Sequence, residues 1–195
     1  NGTQVLPELY GVDKVTGGRL PLVLIPTTAG TGSEVTPVAV ITTGETTKAG
    51  ISATALLPDV AILDAELTVG LPPHVTAMTG IDAMVHAIEA YTSKIKKNPI
   101  SDMLSRQALK LLACNQRRVL SHPTDLQARE AMLLGATLAG QAFANAPVAA
   151  VHALAYPLGG HYHMPHGLSN ALMLPSVLRF NAVVSEAQYL ELATL

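Results

Sequence analysis

The sequence predicts an α/β segment ending near Glu66, followed by an all-α segment, and three observations predict it. Short runs rich in apolar and β-branched residues fill the first third of the chain. From Leu71 onward, apolar residues recur at helical spacing behind recognisable start signals. Between Glu130 and Arg179 there is no Asp, Glu, Lys or Arg, and small residues dominate that tract.

Leu20–Pro26 (LPLVLIP) is short, apolar and bounded by prolines, as a strand buried on both faces would be. Val35–Thr43 (VTPVAVITT) reads as a second strand, with Pro37 marking an edge or a strand end. Ala61–Leu63 is a third. Pro72-Pro73 suits a first helical turn. Thr79-Gly80-Ile81-Asp82 has the form of a capping box, with Val85, Ile88 and Tyr91 following at helical spacing. Asn98-Pro99 opens the next helix, with Leu104, Ala108 and Leu111 on one face. Thr124-x-x-Gln127 starts another, carrying Met132, Leu133, Ala136 and Ala139.

Composition narrows the function classes. The chain of 195 residues is 49% hydrophobic and 13% charged, against roughly 25% charged in an average soluble domain. So little charge implies a surface covered by further chain or by subunits, as in a homo-oligomer. A net charge of −2 leaves no electrostatic footprint for nucleic acid or an acidic membrane. A membrane span needs about 20 predominantly apolar residues. Gln141, Asn145, Pro147, His152, Pro157 and Gly159-Gly160 interrupt the uncharged tract, so closely packed buried helices are expected there instead. The single cysteine, Cys114, excludes an internal disulfide and a thiolate cluster, and points to a reducing compartment, the cytoplasm. The opening NGTQVLPELY has neither a basic n-region nor an apolar h-region.

Two constellations carry chemistry. Pro26-Thr27-Thr28-Ala29-Gly30-Thr31-Gly32-Ser33-Glu34 follows the first strand. Its small residues let backbone approach a ligand, and its hydroxyls and N–H groups can donate to phosphate or ribose. On composition alone, a flexible Thr/Gly turn is the simpler reading. In the second constellation, Asp82 and His86 lie four apart on one helix face. With His152 and His166 they form an N₃O set suited to Zn²⁺ or Fe²⁺. Taken singly, Asp82 reads as a helix-start acid, and His86 and His152 as satisfied core histidines. Yet His152, His161, His163 and His166 share a charge-free tract, where uncompensated polar groups are most costly. A bound cation explains them together. His74 and His122, beside prolines, read as surface residues.

The segments PTTAGTGSEVT (26–36), TGIDAMVHAIEAY (79–91) and VHALAYPLGGHYHMPHGLSNALMLP (151–175) resemble the iron-containing (group III) alcohol dehydrogenases. The resemblance implies the dehydroquinate synthase-like fold. Residues 1–66 would be the C-terminal part of a dinucleotide-binding α/β domain, and 67–195 a helical metal-binding domain truncated at its C-terminus. It implies Asp82, His86, His152 and His166 as ligands of iron or zinc. Thr27, Thr28, Gly30, Thr31 and Lys48 would contact NAD or NADP. The implied activity is interconversion of a primary alcohol and its aldehyde.

Two departures from the family pattern stand out. Tyr156 occupies the place where many members carry a second histidine, which leaves Tyr156 or His163 as proton relay. The upstream glycine-rich pyrophosphate segment is absent. The alternatives are a metal-dependent hydrolase or lyase on the same metal site, and a non-catalytic fragment.

Overall fold

The computed structural model describes residues 4–45 and 47–195. Among the described residues, five short strands, β1 (Gly11–Val12), β2 (Val23–Leu24), β3 (Val38–Thr42), β4 (Lys48–Ser52) and β5 (Val60–Ala61), precede five α-helices. The helices are α1 (Pro73–Thr92), α2 (Pro99–Ser121), α3 (Leu126–Asn145), α4 (Ala150–Tyr162) and α5 (His166–Ala193). The molecule is therefore mostly helical, with two small sheets.

One sheet has the order β1-β4-β3, β4 pairing parallel to β1 and antiparallel to β3. The other pairs β2 with β5 in parallel. The expected strand at Leu20–Pro26 shrinks to two residues, and it is not buried on both faces: Val23 and Ile25 are exposed. Among the described residues, β5 is its sole sheet partner, and a two-stranded sheet cannot cover both of its own faces. β3 does lie at an edge, directly after Pro37, as the proline predicts.

α1 is the central helix and is apolar almost all round, as a helix with neighbours on every side must be. Ala83 and Ala87 meet Ala108 and Leu112 of α2 and Met132, Leu133 and Ala136 of α3. Val85 faces the other way, onto Val151 of α4 and Val177 of α5. Each fully buried side chain such as Leu112 or Leu133 contributes about 2 kcal/mol of transfer free energy.

The predicted start at Asn98-Pro99 is borne out: Asn98 Oδ1 accepts the Ile100 and Ser101 N–H groups, each at 3.0 Å. Two start signals are corrected. Thr79-x-x-Asp82 lies inside α1, where the Thr79 hydroxyl donates back to the Val75 carbonyl and caps nothing. α3 is capped by Asp125, which accepts Ala128 N–H at 3.1 Å, one residue after Thr124.

The uncharged tract packs tightly only in part. Ala136, Ala139, Gly140 and Ala142 are buried in α3, but Leu154 and Tyr162 of α4 and Leu172 of α5 are exposed. Pro157 lies within α4 without ending it; the helix stops at His163, whose φ is 53°. Among the described residues no helix is long and apolar enough to cross a membrane.

The Thr/Gly loop is wedged onto the helices. A Cβ on Gly30 would lie 2.7 Å from Thr79 Cβ, and one on Gly32 would lie 2.5 Å from Gly140 Cα. The buried Glu34 accepts the Thr137 hydroxyl at 2.6 Å. Helix packing thus requires glycine at positions 30 and 32, a constraint separate from any ligand approach.

Candidate metal centre

α1 supplies Asp82 and His86 from one face, α4 supplies His152, and His166 opens α5 directly after its N-cap Pro165. One ligand atom from each of the four lies within 4.8 Å of the other three. The mid-helix position of Asp82 removes the helix-start reading of its carboxylate. The stacked rings of His86 and His152 lie 4.7 Å apart, with Phe143 4.6 Å from His86 on α3. Asp82, His86 and His152 are buried, whereas His166 is partly open to a cleft of about 560 Å³. β3 and β4 also line that cleft, through Val38, Val40 and Lys48.

The donor chemistry fits a cation. Asp82 Oδ1 lies 3.9 Å from His152 Nε2 and 3.6 Å from His166 Nε2. All three atoms converge on the Asn170 amide nitrogen, which donates to Asp82 and sits 3.2 Å from His152 Nε2 and 3.3 Å from His166 Nε2. An amide has two hydrogens, so three acceptors outnumber its donors. His86 Nδ1 and Asn170 Oδ1 are buried with no hydrogen-bond partner. Unsatisfied buried acceptors around one point are costly unless a positive charge joins them.

Burial pushes His86 down to about 4, against a weaker upward pull from Asp82. Burial lowers His166 as well, again opposed by Asp82. Both imidazoles are therefore neutral at neutral pH, the form that binds metal. Burial works upward on the Glu89 carboxyl, yet bonds from His152, Ala149 and Val151 hold it below its usual range.

A pH dependence follows for metal-free protein. The unfolded His86 titrates near 6.5 and the folded one near 4, so between those values the unfolded state binds the extra proton. Stability is then full above the unfolded pKa and falls as pH drops through that window, by on the order of 3 kcal/mol. Urea unfolding of chelator-treated protein above, within and below the window measures this. His86→Gln should flatten the curve.

The remaining sequence expectations divide. Thr31, Lys48 and Tyr156 line the cleft with the four-residue cluster; Thr27, Thr28 and Gly30 do not, and Gly30 is buried against α1. The Tyr156 ring stands 6.1 Å from that of His166, and burial with Asp82 pushes its hydroxyl pKa upward. His163 is exposed and lines a separate recess with Lys48 and Met164, away from the cluster. The charge-free tract thus overcounts: His161 and His163 face solvent, and only His152 and His166 join the site. His74 and His122 are exposed, as expected.

Sequence reasoning missed Glu89 and Asn170. Glu89 meets His152 Nδ1 at 2.7 Å. Each lies at helical spacing from a ligand on its own helix, Glu89 three after His86 and Asn170 four after His166, and that spacing was the available signal.

Fold and site together define a mainly helical protein with three imidazoles and a carboxylate gathered at a cleft. Residues 2–65 match the family model for iron-containing alcohol dehydrogenase, and residues 76–195 match that for the C-terminal part of the Fe-containing alcohol dehydrogenase family. The chain is 53% identical over 173 residues to long-chain-alcohol dehydrogenase 1 of Geobacillus thermodenitrificans, covering 89% of this chain and 43% of that protein. Among solved structures, 1,3-propanediol oxidoreductase superposes with a TM-score of 0.94 at 42% identity, covering 100% of this chain and 50% of that one. The sulfoacetaldehyde reductase from Bifidobacterium kashiwanohense in complex with NAD⁺ superposes with a TM-score of 0.78 at 40% identity, covering 83% and 43%. The chain belongs to the iron-containing alcohol dehydrogenase family. It spans about half the length of these relatives.

Proposed function

We propose that the chain carries the C-terminal part of a dinucleotide-binding α/β domain (1–66) and a helical metal-binding domain (67–195). Together they serve an NAD(P)-dependent enzyme that interconverts a primary alcohol and its aldehyde. The observation that carries this reading is the convergence of Asp82, His86, His152 and His166 at a cleft also lined by Thr31 and Lys48. Family membership supports it, as does the NAD⁺ complex of the sulfoacetaldehyde reductase relative.

Asp82, His86, His152 and His166 would hold Fe²⁺ or Zn²⁺, both of which accept such ligands. When bound, the ion supplies Lewis acidity toward the alcohol oxygen, and the nicotinamide supplies the hydride acceptor. Asp82 brings the one negative charge of the ligand set, so a divalent ion held there would leave a net positive charge at the cleft. Val38, Val40 and Phe143 form apolar surface that limits water around the substrate carbon. Lys48, which lines the same cleft, would meet anionic or hydroxyl groups of the nucleotide. Tyr156 lines the cleft and, its pKa raised, stays protonated at neutral pH, so it would donate a proton during aldehyde reduction. Substrate and product are small molecules. The exposed apolar face of α5 is consistent with a homo-oligomer, and the lone exposed Cys114 with a cytoplasmic setting.

Hydrolysis at the same site is the weaker reading. It needs a free carboxylate to activate water, and Glu89, which folds in beside His152, is already engaged by three donors. The test is near-ultraviolet absorbance of reduced nicotinamide, with iron or zinc, NAD or NADP and a primary alcohol added to the protein. Metal-dependent growth of that signal is expected. Tight metal binding with ester hydrolysis and no reduced nicotinamide would reverse the assignment.

A further inference from the structure

Glu89 is a buried carboxylate on α1, one turn beyond His86, and it does not line the cleft beside the ligands. Its Oε2 accepts the Ala149 N–H at 2.9 Å and lies 2.7 Å from His152 Nδ1, and its Oε1 accepts the Val151 N–H at 2.6 Å. The N-cap of α4 is Ala149, whose side chain cannot cap. The first N–H groups of a helix have no partner within it, so α1 lends α4 its missing cap. The same carboxylate acts on the ring that α4 carries. An ionised carboxylate only accepts hydrogen bonds, so the proton of neutral His152 must sit on Nδ1. The Nε2 lone pair is then left facing Asp82, His166 and the Asn170 amide.

We propose that Glu89 is the positioning residue of the metal centre, fixing the tautomer and ring orientation of His152 while anchoring the start of α4. The inference rests on the metal-centre reading above and deepens it. One carboxylate sets three things that metal binding requires: which nitrogen is free, where the ring points, and where the helix bearing it begins. Turning the carboxylate away would lose three hydrogen bonds at once, so the arrangement is stiff. Outer carboxylates of this kind are worth about 10–100-fold in metal affinity.

Glu89→Gln separates this role from simple capping. The amide keeps one oxygen for the Val151 N–H but offers an N–H₂ group to His152. That favours a bare Nδ1 and a protonated Nε2, a form that cannot bind a cation. Titration with Zn²⁺ should show affinity reduced about 10–100-fold in Glu89→Gln. A pure cap would instead lower the unfolding midpoint of the metal-free protein and leave the Zn²⁺ dissociation constant of its folded fraction unchanged, which would overturn the inference. Long-range ¹H–¹⁵N spectra of the metal-free wild type decide the matter even if Glu89→Gln does not fold. A His152 resonance with the proton on Nδ1 is expected, and a predominant Nε2–H form overturns the inference. Failure of the wild type to bind Zn²⁺ would instead refute the metal-centre reading, which separates the two.

Discussion

His166→Ala is expected to lower metal affinity by more than about 100-fold, beyond the loss typical of an outer partner. The ring is one of four whose ligand atoms lie within 4.8 Å of one another, and its loss leaves two imidazoles and one carboxylate. His166 occupies the first position of α5, where alanine keeps the helix, so the fold should survive. His152→Ala should lose as much affinity and also empty the partner of Glu89, leaving a buried carboxylate short of one bond. His74→Ala, at an exposed position of α1, should change neither metal content nor stability. Elemental analysis of the purified, metal-loaded variants reads the result. Wild-type metal content in both His152→Ala and His166→Ala would remove the site.

Gly32→Val is expected to be the most destabilising single change in the first third of the chain. Gly32 has φ of 60°, where a side chain costs about 1–2 kcal/mol. Its added Cβ would also lie 2.5 Å from Gly140 Cα and 3.0 Å from Gly140 N. Both atoms are backbone, so neither can swing aside, and overpacking of this kind costs about 1–3 kcal/mol. The sum, about 2–5 kcal/mol, corresponds to a fall in thermal midpoint of about 4–20 °C for a chain of this size. Gly18→Ala is the control, since nothing lies within 4 Å of its added Cβ. Calorimetry on both variants is the measurement; equal midpoints would show that the loop does not seat against α3.

What the sequence discloses depends on how local the cause is. The Asn98 cap and the Pro72-Pro73 start are decided within one helical turn, and both are legible. Thr79-x-x-Asp82 has the letters of a cap, but Pro73 had already started the helix, and a hydroxyl inside a helix bonds back to the preceding turn. β1 is two residues long, and β4 (KAGIS) has little strand propensity; β1 owes its strand character to pairing with the distant β4, and β4 to pairing with both β1 and the adjacent β3. The metal ligands could be read because Asp82 and His86 repeat at helical spacing and the family motifs are specific. Glu89 and Asn170 were harder to read, because helical spacing puts each beside a ligand but does not tell an acid or amide facing that ligand from one facing solvent. Gly30 shows the same limit from the other side: a glycine in a polar loop suggests a ligand, and its neighbour is a threonine on α1.

The ligands of the candidate centre sit on α1, α4 and α5, and that distribution has a kinetic consequence. An ion held there would act as a cross-link that closes long stretches of chain, raising the free energy needed to separate α4 from the helices it rests on. α4 is short, packs chiefly on α5 and is tied to α1 through Glu89 and the ligands. Without the ion it should be the first region to open, and its amides should exchange with solvent well before those of α2 and α3. Added metal should slow that exchange selectively, so the backbone of α4 reports occupancy of the centre independently of any turnover.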